Sequence, residues 1–277
     1  MILDGKMVSS KIREDIKNEI SSFSIKPKLV DIQIGHNEAS DIYIKNKEKA
    51  CLSVGIEFEC VRFEESSNEE DIVRKIEELN NDKRINGILI QSPIPDKFDF
   101  KDLVNHIDPE KDVDGLTNIN IGKLANNIDG MVSCTPFGIM KLLEYYEIDL
   151  TGKNVVIVGR SNLVGKPLFN LMLNKNATVT ICHSKTVDLK LYTKNADILV
   201  VAVGSKHLIK EDMVKEGSVV IDVGINRVDG VLYGDVDFNS IYEHVSYITP
   251  VPGGVGPMTV AMLLYNTVKN YKKSNIF

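Results

Sequence analysis

Hydrophobic positions along the chain recur with two periods, and the switching between them predicts the order of elements. Ile12, Ile16 and Ile20 stand four apart and predict a helix near Val8–Phe23, because residues four apart share one helix face. The short apolar run Lys28–Ile34 follows as a strand. A second helix is predicted from about Ala39 to Val54, stopped by Gly55, and the strand Ile56–Phe63 comes next, glycine being the usual residue just past a helix end. Asn68 has N-cap chemistry for a third helix reaching Asn80, and Gly87–Gln91 is a continuous apolar strand ending at Ser92-Pro93-Ile94-Pro95. Three such repeats predict α/β units around a largely parallel sheet.

The turn-rich stretch Asp108–Gly115 and the weakly patterned residues up to Val132 read as a linker or a site loop. Thr135 as N-cap and Pro136 as first helical residue predict a helix to about Tyr146. A second module follows, with strands Asn154–Val158, Thr178–Cys182, Ile198–Val203 and Val219–Val223, a helix from about Val164 to Leu173, and shorter helical segments. A hairpin is predicted to turn at Asp229-Gly230. The last helix is predicted over Met258–Lys273, with Ala261, Leu264, Tyr265 and Val268 on a face that packs against the first module. The fold class is therefore α/β, with two modules.

Length agrees: 277 residues make about two domains at roughly 100–200 residues each. A hydrophobic share of 43% and a charged share of 26% are ordinary for a globular chain. The net charge of -6 and the lack of any basic run argue against nucleic acid as a partner. Apolar stretches such as Ile198–Val203 fall far short of the ~20 residues that span a bilayer. With no membrane segment and no leader pattern at the start, a cytosolic protein is expected. Cys51, Cys60, Cys134 and Cys182 have no C-x-x-C spacing, and the five histidines have no metal-ligand spacing, so reduced, mostly buried thiols and no metal site are expected.

Candidate chemistry sits in both modules. In the second, the strand Asn154–Val158 runs into Gly159-Arg160-Ser161-Asn162-Leu163-Val164-Gly165 and then a helix. A strand, a tight glycine turn and a helix N-terminus favour a pyrophosphate, through free N–H groups and the helix dipole. Ser161 and Val164 stand where the G-x-G-x-x-G pattern has its second and third glycines. A glycine-rich turn without a ligand therefore stays open on spacing alone. After the next strand the chain reads Cys182-His183-Ser184-Lys185-Thr186, without the carboxylate that would receive a ribose 2′-hydroxyl, so Arg160 and Ser184 favour NADP over NAD. A solvated basic turn is the alternative.

In the first module Tyr43 and Lys47 lie one helical turn apart, an aromatic surface beside a titratable amine. Gln91 ends an apolar strand, where open α/β sheets bind ligands. Taken singly, these residues read as a core aromatic, an exposed lysine and a strand end. Thr249–Thr259, with three prolines and three glycines, can bring backbone close to a ligand or act as a rigid linker.

Several of these motifs together resemble one family, the bifunctional methylenetetrahydrofolate dehydrogenase/methenyltetrahydrofolate cyclohydrolases. The resemblance runs through Tyr43–Lys47, Gln91–Pro95, Lys111–Gly115, Cys134–Pro136, Gly159–Ser161 with Val164-Gly165, and Thr249–Thr259. It implies an N-terminal α/β domain over residues 1–135, completed by a C-terminal helix at 258–277, and a Rossmann-type doubly wound NADP domain over 136–257, with the active-site cleft between them. It implies a cytoplasmic homodimer acting on tetrahydrofolate derivatives in one-carbon metabolism and purine biosynthesis. By the same resemblance Lys47 is the catalytic amine, Gln91 its hydrogen-bonded partner, Tyr43 a surface for the pterin ring, and Asp114 an acceptor for the pterin N–H groups. Pro252, Gly253 and Gly256 are implied in substrate binding. Gly159, Arg160, Ser161, Val164, Gly165, Ser184, Ile225 and Thr259 are implied in binding NADP, with no metal. Neighbours that favour the amine form would let Lys47 act near neutral pH. A monofunctional dehydrogenase of the same family, another two-domain oxidoreductase acting on a small hydroxy acid or a shikimate-like alcohol, and a nucleotide-sensing protein on the same fold remain as alternatives.

Overall fold

A computed structural model describes residues 1–274. The chain forms two compact units, one combining Met1–Ser10 with Thr135–Thr259 and the other combining Lys11–Cys134 with residues 260 onward.

The second of these is built on a three-stranded parallel sheet. The chain enters through α1 (Gly5–Ser21) and continues β1 (Lys28–Ile34), α2 (Glu38–Val54), β2 (Glu57–Phe63), α3 (Glu69–Asn81) and β3 (Gly87–Ile90). The strand order is β2-β1-β3, with β1 parallel to both neighbours. A central parallel strand is covered on both faces and so is expected to be apolar throughout. Val30, Ile32 and Ile34 do join Ile72, Ile76, Ile88 and Ile90 in the core. Asp31 and Gln33 alternate with them, and they too are buried. The Asn37 side chain caps α2 by accepting from the Ser40 N–H at 3.0 Å, and Gly55 ends it at φ 91°. Asn68 occupies the N-cap position of α3, yet its side chain makes no cap bond.

Two helices stand where the sequence pattern predicted none. The helix α4 (Phe100–Asn105) is capped by Asp99, and α5 (Asn118–Ala125), inside the expected loop, is capped by Thr117. Before α5, Lys111 closes the end of α3, its Nζ donating to the carbonyls of Leu79, Asn80 and Asp82 at 3.0, 2.6 and 2.8 Å, a favourable place for a cation beside unsatisfied helix carbonyls.

The other unit carries a five-stranded parallel sheet. Its elements are α6 (Cys134–Tyr145), β4 (Asn154–Val158), α7 (Gly165–Leu173), β5 (Thr178–Cys182), α8 (Leu189–Thr193), β6 (Ile198–Val201), β7 (Val219–Asp222), the hairpin β8 (Asn226–Val228) and β9 (Val231–Tyr233), α9 (Phe238–Ile241) and β10 (Tyr247–Ile248). The order β10-β7-β6-β4-β5 reverses direction beside β4, the point where doubly wound sheets bind ligands. Asp229 and Gly230 both adopt positive φ, 50° and 80°, as a two-residue hairpin turn requires.

Two helix starts differ from expectation. Thr135 lies inside α6 rather than capping it, because Pro136 is still within the first turn, where a missing N–H costs nothing. For the same reason α10 (Val255–Ser274) begins before Pro257 rather than at Met258. Along α10, Ala261, Leu264 and Val268 are buried, whereas Tyr265 is partly exposed. In the three-stranded unit this helix donates through Asn266 to the carbonyls of Val113 and Val132, at 2.8 and 3.0 Å, and through Asn270 to that of Asn86 at 2.8 Å.

Candidate active site

Lys47 sits on α2 with its side chain 13% exposed. Its Nζ donates to Gln91 Oε1 at 2.7 Å and forms an ion pair with Asp31 Oδ2. Gln91 lies one residue past β3, held by its backbone N–H on the Ile32 carbonyl at 2.8 Å. Its Nε2 donates to the Ser92 carbonyl, so the amide oxygen is left to face Lys47. The Ser92–Pro93 peptide is cis. Tyr43, one turn before Lys47, is 56% exposed, which makes it a free aromatic surface rather than a core side chain.

Asp114 is half-buried. Burial raises its carboxyl above the ordinary range, the Lys47 ammonium opposes that rise, and nearby Asp112 adds to it. Close by, the Cys134 thiol donates to the Val113 carbonyl at 3.3 Å, and burial holds that thiol well above its usual range. All four cysteines are free thiols; Cys51, Cys134 and Cys182 are buried and Cys60 half-buried.

Asp31 was not anticipated. It is fully buried in mid-strand. Oδ2 meets the Lys47 ammonium, while Oδ1 has no hydrogen-bond partner among the described residues. Burial raises its carboxyl, and Lys47 and then Arg62 pull it back. The signal in the sequence was a pair of polar residues two apart, Asp31 and Gln33, inside an otherwise apolar run: strand periodicity places both on one face.

The remaining candidates lie in the five-stranded unit. Gly159 adopts φ 124°, and a Cβ there would stand 2.3 Å from the Ala202 carbonyl oxygen. A Cβ on Gly165 would stand 2.1 Å from the Gly159 carbonyl oxygen. Both positions therefore need glycine for close approach of the turn to the strand and helix. Ser161 Oγ accepts from the Val164 N–H at 3.1 Å and orders the turn. Val158 pairs with Cys182 across β4 and β5, which puts exposed Arg160 and exposed Ser184 just past two adjacent strand ends. The turn, the N-terminus of α7 and this donor set fit the phosphates of NADP. Ile225, just beyond β7, is 56% exposed.

Thr259 Oγ1 is hydrogen-bonded to Thr135 Oγ1 at 2.9 Å. Pro252 is exposed and follows a cis peptide, and Gly253 adopts φ 110° with its carbonyl accepting from the Lys6 N–H at 2.9 Å. Gly256 has open space where a Cβ would stand. Among the described residues no group of three or more His, Cys, Asp or Glu side chains is placed to hold a metal ion.

Comparison with known proteins bears on this arrangement. The family described as tetrahydrofolate dehydrogenase/cyclohydrolase matches residues 3–114 through its catalytic domain and residues 133–275 through its NAD(P)-binding domain. The chain belongs to this family. A curated relative, the bifunctional protein FolD of Aquifex aeolicus, is 52% identical over 278 residues, covering 99% of this chain and 96% of its own. The crystal structure of the bifunctional methylenetetrahydrofolate dehydrogenase/cyclohydrolase FolD from Campylobacter jejuni superposes with a TM-score of 0.97 at 48% identity, over 99% of both chains. The Trypanosoma brucei dehydrogenase-cyclohydrolase, complexed with NADP cofactor and inhibitor, gives a TM-score of 0.95 at 34% identity, over 100% of this chain and 99% of that one. Within the tetrahydrofolate dehydrogenase/cyclohydrolase family, Lys47, Gln91, Asp31 and Asp114 fall in or at the end of the catalytic-domain match.

Proposed function

We propose that the chain oxidises 5,10-methylenetetrahydrofolate to the 5,10-methenyl form with NADP and hydrolyses that product to 10-formyltetrahydrofolate. The observation that carries the reading is the 2.7 Å bond between Lys47 Nζ and Gln91 Oε1, formed in a chain of the dehydrogenase/cyclohydrolase family.

The roles follow from chemistry. Asp114 accepts the two N–H donors of the pterin edge in a fork, and Tyr43 supplies the face on which the ring lies. When bound by the NAD(P)-binding domain, NADP would supply the acceptor for the hydride of the methylene carbon. Lys47 then takes a proton from the water that adds to the methenyl carbon and returns one as the ring opens, with Gln91 fixing the direction of its lone pair and N–H groups. Gly159, Ser161, Val164 and Gly165 supply backbone close to the pyrophosphate, and Arg160 and Ser184 donate to the 2′-phosphate. Ile225 and Thr259 contribute to the nicotinamide end of the site, and Pro252, Gly253 and Gly256 to the folate.

The reading extends to a homodimer working in the cytoplasm, free of nucleic acid and membrane. The net charge of -6 supports it, and no helix among the described residues is long and apolar enough to cross a membrane. Two absorbance assays test the chemistry: NADP-dependent methenyl formation, and methenyl loss above the uncatalysed background. Lys47→Ala, with its fold confirmed by circular dichroism, is expected to abolish hydrolysis and leave NADP affinity within about twofold; retained hydrolysis would overturn the assignment.

A further inference from the structure

The pocket that holds Lys47 contains one more charged group than the proposed chemistry uses. Asp31 is fully buried in the central strand β1. It contacts the Lys47 ammonium, and its second oxygen has no hydrogen-bond partner among the described residues. A carboxylate in such a place is expensive unless something nearby compensates it. Lys47 is the only cation the structure shows in direct contact with it among the described residues.

The other charged and titratable groups facing the pair are accounted for. On β2, Arg62 donates to Asp41 Oδ1 at 2.9 Å and to Gln33 Oε1, so its hydrogen bonds go to those residues. On α2, Asp41 is held by Arg62 and by Gln33, and the Cys51 thiol is pushed up to about 12 by burial, so it carries no charge near neutral pH. Cys60 on β2 is likewise raised by burial. From α1, Arg13 faces Cys51. Asp114 is within electrostatic reach of Lys47, and so contributes negative potential from another side.

We propose that Asp31 is a positioning residue for this reaction, whose carboxylate holds Lys47 Nζ beside Gln91. The proposal rests on the cyclohydrolase reading above. The ion pair to Asp31 and the hydrogen bond to Gln91 together fix the position of the nitrogen.

Two variants test it. Asp31→Val removes the contact and is expected to lower the cyclohydrolase kcat about 10²-fold, the lower end of what a positioned acid–base group contributes. Asp31→Asn keeps an oxygen for Lys47 and is expected to recover most of that loss. The Michaelis constant for NADP should not change in either. A Val variant with the native kcat, or an Asn variant that falls as far as the Val variant, would overturn the proposal.

A second measurement needs neither Asp31 variant to fold. The 13C resonance of the Asp31 carboxyl should titrate above the ordinary carboxylate range and move further up in Lys47→Ala, because the ammonium no longer opposes the rise. A midpoint that ignores Lys47 would overturn the proposal. Absence of hydrolysis by the native protein would instead strike the functional reading, and the carboxyl titration would still report on the pair.

Discussion

Asp235 and Asp31, buried carboxylates from different units, are compensated differently, although Asp112 in the unit of Asp31 is held like Asp235, by the Thr117 N–H and Asn120 Nδ2 at 2.8 and 2.9 Å. In the five-stranded unit Asp235 is wholly buried, and its oxygens accept from the backbone N–H groups of Val203, Gly204 and Ser205 at 2.7, 3.0 and 2.7 Å and from Asn226 Nδ2 at 2.9 Å. Asp222 beside it accepts from the N–H groups of Gly224, Asp235 and Val236 at 3.0, 2.9 and 2.9 Å. Asp31 in the three-stranded unit has a single contacting cation and a bare oxygen. Backbone donors cannot titrate or leave, so they fasten two loops past the ends of β6 and β7 permanently. A lysine can give up its proton. The first arrangement suits loops that keep one shape; the second suits a place where charge can change.

The largest test of this contrast is Asp235→Ala, which leaves several buried donors without an acceptor. It should cost about 3 kcal/mol or more in urea unfolding and raise the Michaelis constant for NADP, whereas Asp31→Val should lower the cyclohydrolase kcat and leave that constant unchanged. A stability loss below 1 kcal/mol would erase the distinction.

Asp222 sharpens the contrast through pH. Burial raises its carboxyl to about 6 despite the donors around it. The folded state therefore binds that proton more tightly than the unfolded chain, whose carboxyl titrates near 3.9. The contribution of Asp222 to stability should be greatest below pH 4, fall by about 2–3 kcal/mol as pH rises from 4 to 6, and be flat above. Comparing the slopes of unfolding free energy against pH for the native protein and Asp222→Asn checks this, and parallel slopes would refute it. The smallest effect is expected at the surface: Arg160→Ala should raise the Michaelis constant for NADP about tenfold, as loss of one charged hydrogen bond does, and leave that for NAD within about twofold.

Much of the fold could be read from periodicity, and the failures have specific causes. Lys28–Ile34, Asn154–Val158 and Thr178–Cys182 are strands with the boundaries their apolar runs predicted. The helices α4 and α5 escaped because each spans two turns or little more, too short for a repeat to show. Their caps, Asp99 and Thr117, were the readable signal. The pairing of Lys47 with Gln91, implied by the family resemblance and not by spacing, is present as a direct hydrogen bond of 2.7 Å. Asp31 is hidden in the sequence because one acidic residue does not break the strand pattern of Lys28–Ile34. Periodicity tells which face a residue takes, and only the packing of α2 over β1 tells which side chain it meets there.

The last helix has a consequence for how the molecule is made. A Cβ on Gly87 would stand 2.6 Å from Val113 Cγ1, 2.8 Å from Leu29 Cδ1 and 3.3 Å from Thr267 Oγ1 of the last helix, and Asn266 and Asn270 occupy carbonyls of residues 86, 113 and 132. The carbonyls of Asn86, Val113 and Val132 therefore lack these donors until residues 266–270 have been added. The five-stranded sheet, encoded without interruption between Asn154 and Ile248, has no such delay. During translation, which proceeds from the N-terminus, the three-stranded unit receives residues 260 onward after every strand of both sheets has been made.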